Sequence, residues 1–186
     1  PDAVTIAGDK LYLPPDSRIE RFRAAEGVPR IEFTTFDGAY PESWPAGFEL
    51  PQDYYLRSAP LTVEDAENDD AQNRGYRVIQ FGGVAKLSFA ETVEFFRSQG
   101  GQAGFTTTGD RFISTEKLIS ESGMQSEQAV EYSRLAMGPG LHDLLLEKPG
   151  SRTPIVMVKV LADQDMDGYT YLMGHVTVDT KFTADK

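Results

Sequence analysis

The sequence contains no cysteine, and this absence excludes several kinds of chemistry at once. Disulfide bonds, thiolate nucleophiles, cysteine-ligated zinc sites and iron–sulfur clusters all require that side chain. Stability must therefore come from packing and hydrogen bonding within a chain of 186 residues. That length favours one globular domain over residues 1–186, which can bury about two-thirds of the surface of the unfolded chain.

Long apolar runs and basic residues are also scarce. No run of about 18 apolar residues occurs, so the sequence predicts no membrane-spanning segment. The chain has 18 lysines and arginines against 29 aspartates and glutamates, which gives a formal net charge of −11. A field of that sign repels nucleic acid and favours cations or basic partner surfaces. The alternative interpretation is that the charge only maintains solubility.

The chain starts at Pro1 without an initiator methionine, and it shows no signal peptide. From this start we expect a protein that has lost a leader and is periplasmic, secreted or envelope-associated. A cytoplasmic location is the alternative.

The strongest local signals predict a helix over residues 88–99. Ser88 and Glu91 have the spacing of a capping box, and apolar residues recur behind them at helical spacing. The glycine pair at 100–101 predicts its end, because glycine adopts the left-handed cap conformation at low cost. A second helix is favoured over residues 126–137, with a strand over the same residues as the alternative.

Alternating β-branched and aromatic residues predict the strands. These segments are residues 30–36, 76–81, 102–108, 141–147, 154–161 and 169–179. The last two form a predicted hairpin with residues 162–168 as its loop. The sequence therefore predicts an α+β fold, a mainly antiparallel sheet of five to seven strands with one or two helices packed on one face. A parallel β–α–β crossover at the first helix is the local alternative.

Nine apolar side chains in these segments are expected to form much of the core. They are Ile79, Phe81, Phe89, Val93, Phe96, Val156, Val158, Val160 and Val176.

The hairpin loop carries the most specific chemical pattern in the sequence. Asp163, Asp165 and Asp167 stand at alternate positions and are followed by glycine, as at positions 1, 3, 5 and 6 of an EF-hand loop, with the carbonyl of Tyr169 at position 7. Position 12 is Gly174 instead of glutamate, and the flanks are predicted strands. We therefore predict a Ca²⁺-binding hairpin loop, with a solvated acidic turn as the alternative.

A further ligand for this ion would have to come from elsewhere in the chain. Asp179 and the acidic segment 64–70 are the candidate sources. The alternative for segment 64–70 is an exposed loop, because dense like charges oppose compact structure.

An aromatic and proline-rich segment, residues 40–51, forms the candidate partner-binding surface together with Tyr54. Tyr40, Trp44, Phe48 and Tyr54 offer large contact areas at low entropic cost. Packing of these four rings into the core is the alternative.

The chain has two histidines, His142 and His175, and neither has the spacing of a zinc site. Either could join a dispersed hydrolytic site, because triad members need only meet in space. The absence of a recognisable catalytic motif leads us to predict a non-catalytic binding or interaction module with an unidentified protein or other macromolecule as its partner, and no catalytic residue is assigned. A Ca²⁺-binding domain and a hydrolase with a histidine-containing site are the two alternatives.

Overall fold

A computed structural model describes residues 5–7, 10–12, 18–19, 32–57, 62–65, 76–162 and 168–179. Within these residues the chain forms ten strands and three helices. The strands are β1 (Thr5–Ala7), β2 (Lys10–Tyr12), β3 (Glu32–Thr35), β4 (Tyr54–Arg57), β5 (Thr62–Asp65), β6 (Tyr76–Ala85), β7 (Thr106–Ser114), β8 (Gly140–Glu147), β9 (Ile155–Leu161) and β10 (Thr170–Asp179). The helices are α1 (Phe89–Gln102), α2 (Thr115–Ser122) and α3 (Glu127–Met137).

The predicted α+β class with a mainly antiparallel sheet is confirmed. In the described residues the ten strands form one sheet, in which β1 to β5 have three or four residues each and β6 to β10 have seven to ten. The structure also contains a helix that the sequence did not predict, α2. Ser114 caps its amino terminus by accepting a hydrogen bond from the amide of Lys117, and Gly123 ends it in the left-handed conformation.

The strand order is β1-β2-β3-β4-β6-β10-β9-β8-β7, and β5 pairs with β6 beside β4. Every one of these strand pairs is antiparallel. Strands β6 and β7 flank α1 and run in the same direction, but β10, β9 and β8 lie between them. The crossover at α1 therefore joins two distant strands and forms no parallel ladder.

The predicted C-terminal hairpin is confirmed, with β9 and β10 paired from Leu172 opposite Val160 to Thr177 opposite Ile155. Strand β10 also pairs with β6 along its whole length, which places it near the middle of the sheet. The sequence favoured a helix over residues 126–137, and α3 occupies this segment.

Helix α1 begins where the capping box predicts and ends later than predicted. The amide of Glu91 donates to Ser88 Oγ at 3.3 Å, and the amide of Ser88 donates to Glu91 Oε2 at 2.9 Å. Gly100 lies inside the helix and is buried, because it packs closely against the side chain of Leu146. The glycine with a positive φ is Gly104, beyond the helix end. A tertiary contact therefore fixes the position of Gly100.

The predicted core is confirmed. Of the nine expected core residues, eight are buried, and Phe89 is half-buried against the same cluster. This cluster fills the space between one face of the sheet, α1 and the loop of residues 36–50. We call that side the helix-covered face.

The other side of the sheet, which we call the second face, has its own smaller cluster at one end. Its buried residues are Phe33, Tyr55, Val84, Leu161, Tyr169 and Tyr171, and the half-buried Ile19 packs against them. The centre of the second face is more exposed, and the candidate binding surface lies there.

Candidate binding surface

Two rows of side chains cross the centre of the second face. In the first row Met157, His175 and Gln80 are register neighbours on β9, β10 and β6. In the second row Lys159 stands opposite Met173. These five side chains line a depression of about 270 Å³ that is open to solvent. Three strands that are far apart in the sequence therefore build one surface.

A missing side chain helps to shape this depression. Gly82 is the register partner of Met173 on β6, so the second row has no side chain at that position. Met173 is 40 % exposed, which is unusual for an apolar residue in the interior of a sheet. Met157, Lys159 and His175 are half-buried. The surface thus combines flexible apolar side chains, which adapt to a partner's shape, with hydrogen-bond donors.

Lys159 and Asp143 stand next to each other beside the depression without forming an ion pair. Asp143 on β8 is the register partner of Lys159, but its Oδ2 lies 3.7 Å from Nη2 of Arg111 on the next strand, β7. Within the described part of the chain, the ammonium of Lys159 has no carboxylate within ion-pair distance. Burial lowers the pKa of His175, and the positive charge of Lys159 lowers it further, whereas Asp143 opposes the shift.

His142 lies on the helix-covered face in a different arrangement. Its Nε2 is 2.6 Å from Asp110 Oδ1. The guanidinium of Arg97 donates two hydrogen bonds to the same carboxylate, at 2.8 and 3.0 Å. Hydrogen bonds from Arg97 and then His142 lower the pKa of Asp110. These hydrogen bonds connect Arg97 of α1 with Asp110 of β7 and His142 of β8.

In a hydrolytic site one histidine would both line a depression and contact a carboxylate or serine, but here each histidine has only one of these two features. His175 lines the depression but has no side-chain hydrogen-bond partner among the residues described. His142 contacts a carboxylate, but Arg97 already neutralises the charge of that group.

Asp110→Asn is expected to lower the free energy of unfolding at pH 7 by no more than about 1 kcal/mol, because solvent screens this partly exposed pair. Since the pKa of Asp110 is lower in the folded state, its contribution is present above about pH 4 and is lost as the pH falls through the folded-state pKa. Urea unfolding of both proteins at several pH values measures this difference. A difference that stayed constant into acid would contradict the assignment.

The aromatic residues predicted to bind a partner lie largely in the interior. Trp44, Phe48 and Tyr54 are buried in the core cluster of the helix-covered face. The half-buried Tyr40 stacks on Trp44 at 4.9 Å, and its hydroxyl accepts a hydrogen bond from the amide of Leu50 at 2.7 Å. Because these rings are enclosed, they offer little surface area to a partner. Their contacts are those of core packing.

The predicted calcium ligands Asp163, Asp165 and Asp167 lie outside the described residues, and ion binding there stays a prediction. The side chain of Tyr169 is buried and packs against Tyr55, with ring centroids 6.1 Å apart. This contact involves the side chain only. Ion binding by the backbone carbonyl of Tyr169, the predicted ligand, therefore stays a prediction.

Two of the suggested further ligands, Asp179 and Asp65, lie at the end of the sheet away from this loop. Asp179 ends β10, and Asp65 of β5 is in register with Arg77 near the start of β6. Both positions lie about 30 Å from the loop end of β10 at the usual rise per residue. The rest of the acidic segment, residues 66–70, lies outside the described residues, and its part in ion binding stays a prediction.

Sequence reasoning missed the residues of the depression. Met157 and Lys159 alternate with three buried valines in β9. The alternation was therefore enough to place both side chains on the face of the strand opposite the core. Their neighbours on β10 and β6 could not be assigned, because that requires the strand register.

Comparison with protein-family models, with curated proteins and with solved structures found no match for this chain. In the part of the chain that the structure describes, none of the helices has the length and apolarity needed to cross a membrane. The function is therefore argued from the site alone.

Proposed function

We propose that this protein is a non-catalytic binding module that docks a protein partner on the second face of its sheet. The observation that carries the proposal is the depression lined by Met157, Met173, Lys159, His175 and Gln80. It offers exposed apolar surface beside donors, as the centres of binding surfaces do. A periplasmic, secreted or envelope location stays a prediction.

The size of the depression favours a macromolecular partner over a free small ligand. Pockets that enclose small molecules have volumes of about 300–1,000 Å³ and cover most of the ligand surface. This depression has about 270 Å³ and lies open on a sheet. It has room for one inserted side chain, while the rest of a partner would spread over the neighbouring strands.

Photo-crosslinking tests the proposal directly. A photoreactive amino acid at position 173 is expected to give a crosslinked product of one defined mass in the cells that produce the protein. The matched control is position 135 on α3, because Leu135 is also a large exposed apolar residue, with 47 % of its surface accessible. We expect no such product from that position.

A second comparison checks that the crosslinked protein is a specific partner. Met157→Asp in the same photoreactive protein is expected to abolish the product, because it replaces an apolar wall of the depression with a charged group that is costly to desolvate. Equal crosslinking from positions 173 and 135, or none from position 173, would refute the proposal.

A further inference from the structure

The depression carries a cation, Lys159, that forms no ion pair with any carboxylate in the part of the chain that the structure describes. Lys159 is half-buried and, in the described part of the chain, has no ion-pair partner, although the sequence has 29 acidic residues. Asp143, the nearest candidate by register, has its Oδ2 3.7 Å from Arg111 Nη2, and its buried Oδ1 has no hydrogen-bond partner among the described residues. Removing part of the hydration shell of an ammonium is unfavourable unless another group replaces it. Among the described residues, no anionic group takes the place of that lost hydration.

Three different donors surround the same space. Lys159 contributes an ammonium, His175 a ring N–H, and Gln80 an amide NH₂. Met157 and Met173 supply the apolar edges beside them. A carboxylate matches these donors, since an ionised carboxylate only accepts hydrogen bonds. The methionines match the methylene groups that carry such a carboxylate.

We infer that the group inserted into the depression is a carboxylate of the protein partner, held by Lys159 and His175 and flanked by apolar atoms that pack on Met157 and Met173. This inference rests on the proposed function and specifies its chemistry. The net charge of −11 does not oppose it at short range, because physiological salt screens distant charges beyond about 8 Å.

The probes are two peptides that differ only in charge. Acetyl-Leu-Glu-amide carries the carboxylate and an apolar neighbour, and acetyl-Leu-Gln-amide has the same shape without the charge. The readout is the NMR signal of the His175 ring, assigned by its loss in His175→Gln. The acidic peptide is expected to shift this signal and bind about tenfold more tightly than the neutral one, as a hydrogen bond to a charged group allows.

The titration of His175 gives a second readout. The charged residues at register positions on the same face of the strands around it are Lys159 on β9, Asp143 and Glu147 on β8, Glu64 on β5, and Asp179 at the end of β10. A bound carboxylate offsets Lys159, so the acidic peptide is expected to raise the pKa of His175. By linkage, binding strengthens as the pH falls through that pKa. The neutral peptide is expected to leave the titration unchanged.

Two lysine variants separate the site from general electrostatics. Lys159→Met is expected to weaken binding of the acidic peptide about tenfold. Lys117→Met removes the same charge from α2, outside the depression, and is expected to leave binding unchanged.

Each outcome decides between the two proposals. Equal affinity for both peptides, no binding of the acidic peptide, or no effect of Lys159→Met overturns the carboxylate inference. If position 173 still gives its crosslinked product, any of these results leaves the docking proposal intact. If that product is also absent, both proposals are refuted.

Discussion

Phe48→Ala is expected to lower the free energy of unfolding by about 3–5 kcal/mol, the usual range for removing a buried phenylalanine. Phe48 is 1 % exposed, and its ring lies 6.1 Å from that of Phe96 on α1 and 5.9 Å from that of Phe105. The substitution would leave a cavity where the loop of residues 36–50 meets the helix. Urea unfolding followed by circular dichroism measures the loss.

The matched control for this prediction is Phe112→Ala. Phe112 is also an aromatic residue of the chain, but it is 50 % exposed at the edge strand β7, so we expect a loss below about 1 kcal/mol. If Phe48→Ala fails to fold, Phe48→Leu keeps most of the volume and is expected to lose less than about 1.5 kcal/mol. Equal and small losses for Phe48→Ala and Phe112→Ala would show that Phe48 belongs to a surface and not to the core.

Gly174→Ala is the second large effect, with an expected loss of about 3 kcal/mol from overpacking. Gly174 lies in β10 between β6 and β9, and an added methyl group would overlap the carbonyl oxygen of Met157 and the ring of Phe81. Neither the carbonyl oxygen nor the enclosed ring can move away without disturbing the sheet.

Gly101→Ala is the control for the same chemical change. Gly101 is exposed in α1, and an added methyl group there would meet no atom within 4 Å. Alanine should stabilise the helix by up to about 1 kcal/mol. Thermal unfolding of the two variants should therefore move in opposite directions, and a neutral Gly174→Ala would show that the sheet is looser at this point.

Local signals predicted the elements that depend on neighbours in the sequence. The Ser88–Glu91 capping box located the start of α1 because its hydrogen bonds connect residues only three apart. The alternating valines of β9 likewise revealed a strand and its core side. The end of α1 was misplaced, since the role of Gly100 depends on Leu146 in a distant strand.

The sequence by itself determined the α+β class, the C-terminal hairpin, the main helix and most of the core. These features follow from hydrogen bonds and apolar periods that span a few residues. Only the tertiary structure decided that β10 lies between β6 and β9, and therefore that Gln80, Lys159 and His175 meet. Strand order and register depend on packing between distant segments, and the candidate site exists because of them.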